Sequence, residues 1–451
     1  MALVFLTKII TYNTSIYYYK KLISKVKIWH PFHDNTFNII QRGKRVRKYF
    51  RKRKISSEYI ILIAAFIVLS ANLRAPLTAL PAVIDDIRSD LHIDSVLAGT
   101  LTTIPVLCFG LLVPLASIIL KRVSIERAIF IVLLGVILGT LLRSFGDFTT
   151  IWVGTLLLGG ALSLGNIVSL MVIARDFRHN SGLMTGIYVM AMSIGATLTS
   201  ALTAPLASIL GWQIALSCWS ILALLGIILW AKVNNNKKGA ISTPNETPPS
   251  HSNPTELNTK IKPVWQRPLA LLLSLSFAAH SFLFYGIIAW LPDYLVQSGI
   301  MTKTEAGGAA SLFQIFGLLG CFGIPWLSST LRFTPAALFL IVGISWFLTP
   351  AGLLVYPNLW LIWVIFGGIG SGGGFAVIFM QVITRAINLE DNRKISSFVQ
   401  GIGYCISSLS AVVLGFLHTA TGSWMTGFVF LSVVAIIMTI SGLASSKIKT
   451  V

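Results

Sequence analysis

The chain has 451 residues, of which 55% are hydrophobic and only 11% charged, and its formal net charge is +20. Soluble domains carry about 25% charged residues, so this composition excludes an ordinary soluble protein and implies an all-α polytopic membrane protein. The positive charge does not imply nucleic-acid binding, because much of it falls within residues 1–58.

In the leader 1–58, RGKRVRKYFRKRK from Arg42 to Lys54 abuts the first apolar stretch. Such a cluster suits the anionic headgroups of a lipid bilayer at about 1 kcal/mol per basic residue, which makes 1–58 a basic cytoplasmic extension. The preceding MALVFLTKIITYNTSIYYYKKLISKVKIWH lacks the apolar core and cleavage site of a signal peptide, and is expected to be a lineage-specific extension or the product of a misassigned start.

Hydropathy then marks twelve candidate transmembrane helices, at 59–82, 95–120, 128–145, 151–173, 181–204, 212–231, 268–290, 306–329, 335–355, 359–383, 395–417 and 425–445. The first, YIILIAAFIVLSANLRAPLTALPA, places Arg74 roughly 22 Å from its start. A guanidinium at such depth costs about 2.5–3.5 kcal/mol on insertion scales, so Arg74 must face protein or a water-filled cavity. It either ties helix ends together through backbone carbonyls or forms a substrate or ion site, and the second reading is the sharper one.

A polar stretch at 232–267, rich in Asn, Pro, Ser and Thr, separates the six-helix half 59–231 from the six-helix half 268–451 and reads as a flexible cytoplasmic linker. Basic residues collect in alternate connections: Lys121, Arg122 and Arg127; Arg175 and Arg178; Arg332; Arg385, Arg393 and Lys394; Lys447 and Lys449. The intervening loops are acidic or neutral, as at Asp85, Asp86, Asp90 and Asp94. Both termini are therefore expected in the cytoplasm of an inner-membrane protein.

The halves repeat one another. LLGGALSLGNIVSLMVIAR, ending at Arg175, precedes GLMTGIYVMAMSIG, and GGIGSGGGFAVIFMQVITR, ending at Arg385, precedes SFVQGIGYCISSLS. A parallel repeat of this kind marks transporters that rock two halves about a central site, with glycines permitting close helix approach.

Several separate motifs carry a more specific likeness: NLRAPLTALP in the first span, GNIVSLMVIARDF and SGLMTGIYVMAM around the fourth and fifth, YGIIAWLP in the seventh, and QGIGY with HTATGSW near the eleventh. From about Tyr59 to its end the sequence resembles the cyanate permease and nitroimidazole exporter branch of the major facilitator superfamily. The resemblance implies the major facilitator fold, cyanate-like anions or small organic acids as substrates with heteroaromatic compounds second, and a monomer. Two departures stand out: Ser410 and Ala411 occupy the place of a glycine-proline pair, and Lys121–Arg127 is a faint version of the superfamily's glycine and aspartate signature.

The candidate substrate-binding residues are Arg74 with Asn72, Thr78, Asn166, Tyr188, His280, Ser281, Tyr285, Gln314, Gln381, Gln400 and Tyr404. No span carries an interior Asp or Glu, and one fixed positive charge among neutral donors and rings suits a small anion or planar polar molecule. Each neutral residue has an alternative reading as an interhelical hydrogen bond, and Tyr285 one as packing. His280 could carry a proton or stay buried and neutral. Arg143 and Asp293, near outer span ends, read as rim residues.

The sequence thus points to a secondary transporter, by symport or antiport with a proton or counter-anion, or to an efflux pump of the nitroimidazole type. A membrane glycosyltransferase using Asp85 and Asp86 would need a larger outer domain, and no GxxxxGK[ST] loop supports an ATP-driven pump. No enzyme activity or cofactor is expected. Cys108, Cys218, Cys321 and Cys405 have no metal-ligand spacing, so no metal is expected either.

Overall fold

The computed structural model describes residues 57–93, 95–145, 147–240 and 262–448. The basic cluster Arg42–Lys54 and the linker segment 241–261 lie outside them. The described residues form helices and no strand, as a bilayer demands of a chain that must satisfy its backbone polar groups internally. The architecture is all-α.

The first span is broken where the sequence places Arg74. Helix α1 (Ser57–Asn72) stops, Leu73 and Arg74 form a turn, and α2 (Ala75–Ala79) resumes. Pro76 lacks an N–H and crowds the carbonyl one turn earlier, so the α1 ladder cannot continue through it. After Pro81 the short α3 (Ile84–Leu91) forms on the surface. The second span is bent by 53° between α4 (Ser95–Leu111) and α5 (Val113–Arg122), with Pro114 at the start of the second piece.

Then come α6 (Ile125–Leu142), capped by Ser124, and α7 (Phe148–Asp176), capped by Asp147. The fifth span, α8 (Ser181–Leu210), ends at Gly211, whose φ of +81° few other residues tolerate. The sixth span comprises α9 (Trp212–Cys218) and α10 (Ser220–Ala240). The remaining helices are α11 (Pro268–Gln297), α12 (Lys303–Ser329), α13 (Pro335–Val355), α14 (Trp360–Arg385), α15 (Leu389–Ser407), α16 (Ser410–Thr421) and α17 (Trp424–Lys447). Among the described residues eleven segments are long and apolar enough to cross a membrane, and the bent α4–α5 pair makes a twelfth.

Glycine sets the closest helix approaches. A Cβ on Gly372 would collide with the Gly317 carbonyl, and one on Gly320 with the Ile369 carbonyl, so α12 and α14 pack backbone to backbone. With the bent pair counted, the twelve crossings return the chain to the side it started from, so Ser57 and Lys447 share one face of the bundle, here the terminal face. Near that face the first six spans meet the last six: α8 packs on α12 and α14, and α15 on α4, α5 and α7. Arg393 of α15 donates to the backbone and the hydroxyl of Ser117 on α5, and also to Glu390 at 2.7 Å.

The eleventh span breaks at Ser408 and Leu409 although no glycine-proline pair is present. Ser407 and Ser408 return their hydroxyls to the carbonyls of Tyr404 (3.2 Å) and Cys405 (2.8 Å), and Ser410 donates to Phe282 O at 2.6 Å. Serines that bond back to their own turn often bend helices, and Ser407 and Ser408 do so at this break, while Ser410 ties the next piece to α11.

Candidate functional site

A cavity of about 240 Å³ lies between the two sets of six spans, lined by residues of α2, α4, α8, α11, α12 and α14. Arg74 enters it from the break in the first span, half-buried. Its Nη1 donates to the Tyr285 hydroxyl at 3.2 Å, and its Cζ lies 5.5 Å from the Phe375 ring centroid, 5.6 Å from that of Phe284 and 5.9 Å from that of Tyr285. The ion pairs among the described residues use Arg175, Arg267, Arg393 and Lys394, all near the terminal face. None uses Arg74.

Cation–π contacts return about 0.5–2 kcal/mol, less than the several kcal/mol that desolvating a charge costs, so the rings hold Arg74 in place without neutralising it.

Thr78, Tyr285 and Gln314 also line the cavity. The Thr78 hydroxyl sits 2.7 Å from that of Thr199, tying α2 to α8. The other candidates lie around the cavity rather than on its wall. Asn72 donates to the carbonyls of Val68 (2.8 Å) and Leu222 (3.1 Å). Tyr188 donates to Asn166 at 3.1 Å, and Arg385 donates to Gln381 at 3.3 Å. His280 accepts from the Trp346 indole at 3.0 Å behind Phe375, whose ring centroid is 4.4 Å from its own. Ser281, buried on the same helix, has no partner for its hydroxyl. Tyr404 meets Phe277 edge-on at 5.2 Å, and Gln400 is buried with neither amide atom bonded.

Sequence reasoning did not single out Ser193, Ser371, Phe284, Phe375 or Phe379, all of which line the cavity. Phenylalanine gives no signal in a membrane helix. The glycines did offer one: Gly372 lies on the wall between Ser371 and Phe375, and Gly374 packs so tightly on His280 that a Cβ there would collide with its Nδ1.

Arg143 overturns its expected place at the rim. It is buried, donates from Nη1 to the Pro76 carbonyl at 2.9 Å, and leaves its Nε unpartnered. Gly139 and Gly154 draw α6 and α7 so close that a Cβ on Gly154 would strike the Arg143 backbone, which folds the side chain inward against α2. Asp293 is exposed.

The sequence pattern of the Major Facilitator Superfamily matches residues 60–408. An uncharacterized transporter, YycB, of Bacillus subtilis (strain 168) is 30% identical over 88% of the chain and 95% of its own length. The 2-nitroimidazole transporter of Escherichia coli (strain K12) is 28% identical over 87% of the chain and 97% of its own length, and the cyanate transport protein CynX of the same organism is 24% identical over 82% and 93%. Among solved structures, the fucose:proton symporter FucP of E. coli aligns with 87% of the chain and all of its own at a TM-score of 0.67 and 15% identity. The proton:xylose symporter XylE aligns with 87% of the chain and 95% of its own at 0.65 and 10%. These last two likenesses concern the fold alone.

Proposed function

Because the chain belongs to the major facilitator superfamily, and is therefore a transporter and not an enzyme, we propose that it is a secondary transporter of a small anion or small polar organic molecule, cyanate-like in size. The cavity containing Arg74 would be exposed alternately to the two membrane faces. One observation carries the reading: Arg74 stands without a counter-charge in a cavity of about 240 Å³ between the halves. That volume lies just below the roughly 300–1,000 Å³ usual for drug-sized ligands, in keeping with a small substrate.

In this reading Arg74, Thr78, Tyr285 and Gln314 contact the substrate directly. Asn72, Asn166, Tyr188, His280, Gln381, Gln400 and Tyr404 form the shell that shapes the site and changes as the halves move. Domains 59–231 and 268–451 are the moving bodies. One copy encloses the cavity, so a monomer suffices. Both termini lie in the cytoplasm, the membrane is the bacterial inner membrane, and a proton or counter-anion accompanies the substrate.

A second reading, export of a planar heteroaromatic, is favoured by the rings of Phe284, Phe375 and Phe379 on the wall and by the likeness to the 2-nitroimidazole transporter. The deciding experiment reconstitutes purified protein into proteoliposomes and follows radiolabelled cyanate and 2-nitroimidazole into the lumen with time. Saturable cyanate accumulation is expected. Movement of 2-nitroimidazole alone supports the second reading, and failure to bind or move either overturns both.

A further inference from the structure

One face of α15 carries a row of polar side chains that the structure leaves without partners. Asn392, Ser396 and Gln400 recur every four residues, which stacks them one above another on a helix of 3.6 residues per turn. All three are buried, at 0%, 0% and 1% exposure. Both amide atoms of Asn392, both of Gln400 and the Ser396 hydroxyl have no hydrogen-bond partner. Ser169 on α7, which packs against α15, has an unpartnered hydroxyl too. Helix serines can return their hydroxyls to their own turn, as Ser397 does to Arg393 O at 2.7 Å, and Ser396 does not.

Static burial is a poor home for such a row. Polar atoms sealed in a membrane protein are nearly always bonded, because each forfeits its bonds to water with nothing in exchange. Leucine at these positions would remove that penalty at no cost in bonds.

The row also has two meaningful ends. Asn392 adjoins Arg393, whose bonds to Ser117 join α15 to α5 near the terminal face. One turn beyond Gln400 stands Tyr404, whose ring meets Phe277, which in turn packs on the Phe375 ring beneath the Arg74 guanidinium. From 392 to 404 the helix rises about 18 Å. No α15 residue lines the cavity in this conformation.

We propose that Asn392, Ser396 and Gln400 line the second leg of the solute path, from the Arg74 site to the terminal face, and that this leg is closed here behind the Arg393–Ser117 contact. The solute class is the one such amides and hydroxyls recognise: a small polar or anionic solute travelling with water, held by neutral donors rather than by charge. The inference rests on the transporter reading and adds the residues of the closed half of the path.

The test uses the full chain in a cysteine-depleted background that keeps the wild type's melting temperature and its activity toward either solute, if any. In proteoliposomes, Ser396→Cys should react with 2-aminoethyl methanethiosulfonate at least tenfold faster than Ser276→Cys, a buried α11 position that bonds to Met438 O. Gln400→Leu and Asn392→Leu should each raise the melting temperature while lowering cyanate and 2-nitroimidazole transport about tenfold or more. Unreactive Ser396→Cys together with normal transport in both leucine variants overturns the proposal, and the row is then fixed packing. If the wild type moves neither solute yet Ser396→Cys reacts, the substrate reading fails and the water-filled leg stands.

Discussion

Arg74 and Tyr285, 211 positions apart in sequence, meet through a 3.2 Å hydrogen bond from Nη1 to the phenol oxygen. One belongs to the broken first span and the other to the continuous seventh. The bond therefore joins the two halves at the cavity, and on the proposed function an arriving anion would compete with Tyr285 for the same donor. A planar guanidinium can serve both, because it presents several donors in one plane.

Arg74→Lys should keep the charge and lose that plane, lowering cyanate uptake about tenfold or more with normal membrane insertion, and Arg74→Gln should be worse. Tyr285→Phe should reduce affinity more mildly, by the roughly 1.5–3 kcal/mol of a hydrogen bond to a charged group at most. Uptake and binding assays on purified variants check this series. Near-normal values in Arg74→Gln would make the residue structural.

Arg143 acts from the other side of α2. The cavity wall takes Arg74, Leu77 and Thr78, while Pro76 and Ala79 face a small void that Arg143 also lines. Removing the side chain loses its bond to the Pro76 carbonyl, about 1.5–3 kcal/mol, and also removes an uncompensated buried charge, so the two effects on stability oppose one another. Arg143→Gln is therefore expected to shift the melting temperature by only a few degrees yet raise the KM for cyanate several-fold, because α2 carries Arg74. An unchanged KM would show that the clamp does not position the site.

Much of the fold was legible because lipid leaves a chain few options. Apolar stretches near 20 residues became helices, and the matched glycine-rich segments ending at Arg175 and Arg385 became α7 and α14. Arg74 stood out because charge is scarce in such stretches. Arg143 was misread for a physical reason: hydropathy sees the end of a span, not the Gly139–Gly154 approach that turns its side chain inward. Phe284, Phe375 and Phe379 were invisible, since an apolar ring on a cavity wall has the same sequence signature as one facing lipid. The break at Ser408 was hidden too, because serine bends a helix only when its hydroxyl bonds back to its own turn.

Orientation gives a separate test. If the alternation of basic connections sets the orientation as proposed, the terminal face is cytoplasmic and α3 lies outside. Cysteine at Ser89, on exposed α3, should react with an impermeant maleimide in intact cells, whereas cysteine at Ser250, outside the described residues, should react only after permeabilisation. The opposite labelling would reverse the topology.

Driving force follows from charge. Moving one negative charge into a negative interior costs about 2.3 kcal/mol per 100 mV, so an uncoupled carrier would expel an anion, and accumulation needs a co-transported cation or an exchanged anion. Among the described residues no carboxylate reaches the cavity wall, which leaves His280 or the substrate's own proton to balance the charge. His280 accepts from Trp346 at Nδ1, so its neutral ring carries the proton on Nε2, a buried atom with no partner. Phe375 separates it from the cavity, and Gly374 packs against its ring. Proton exchange at His280 thus requires α14 to move, which would couple protonation to the rearrangement of the halves. Uptake into proteoliposomes under imposed pH and potential gradients should show cyanate accumulation driven by an inward proton gradient, with His280→Gln abolishing that stimulation while leaving cyanate binding intact. Stimulation that survives in His280→Gln assigns the proton to the substrate. Uptake indifferent to the proton gradient and to any internal anion rules out both modes of coupling.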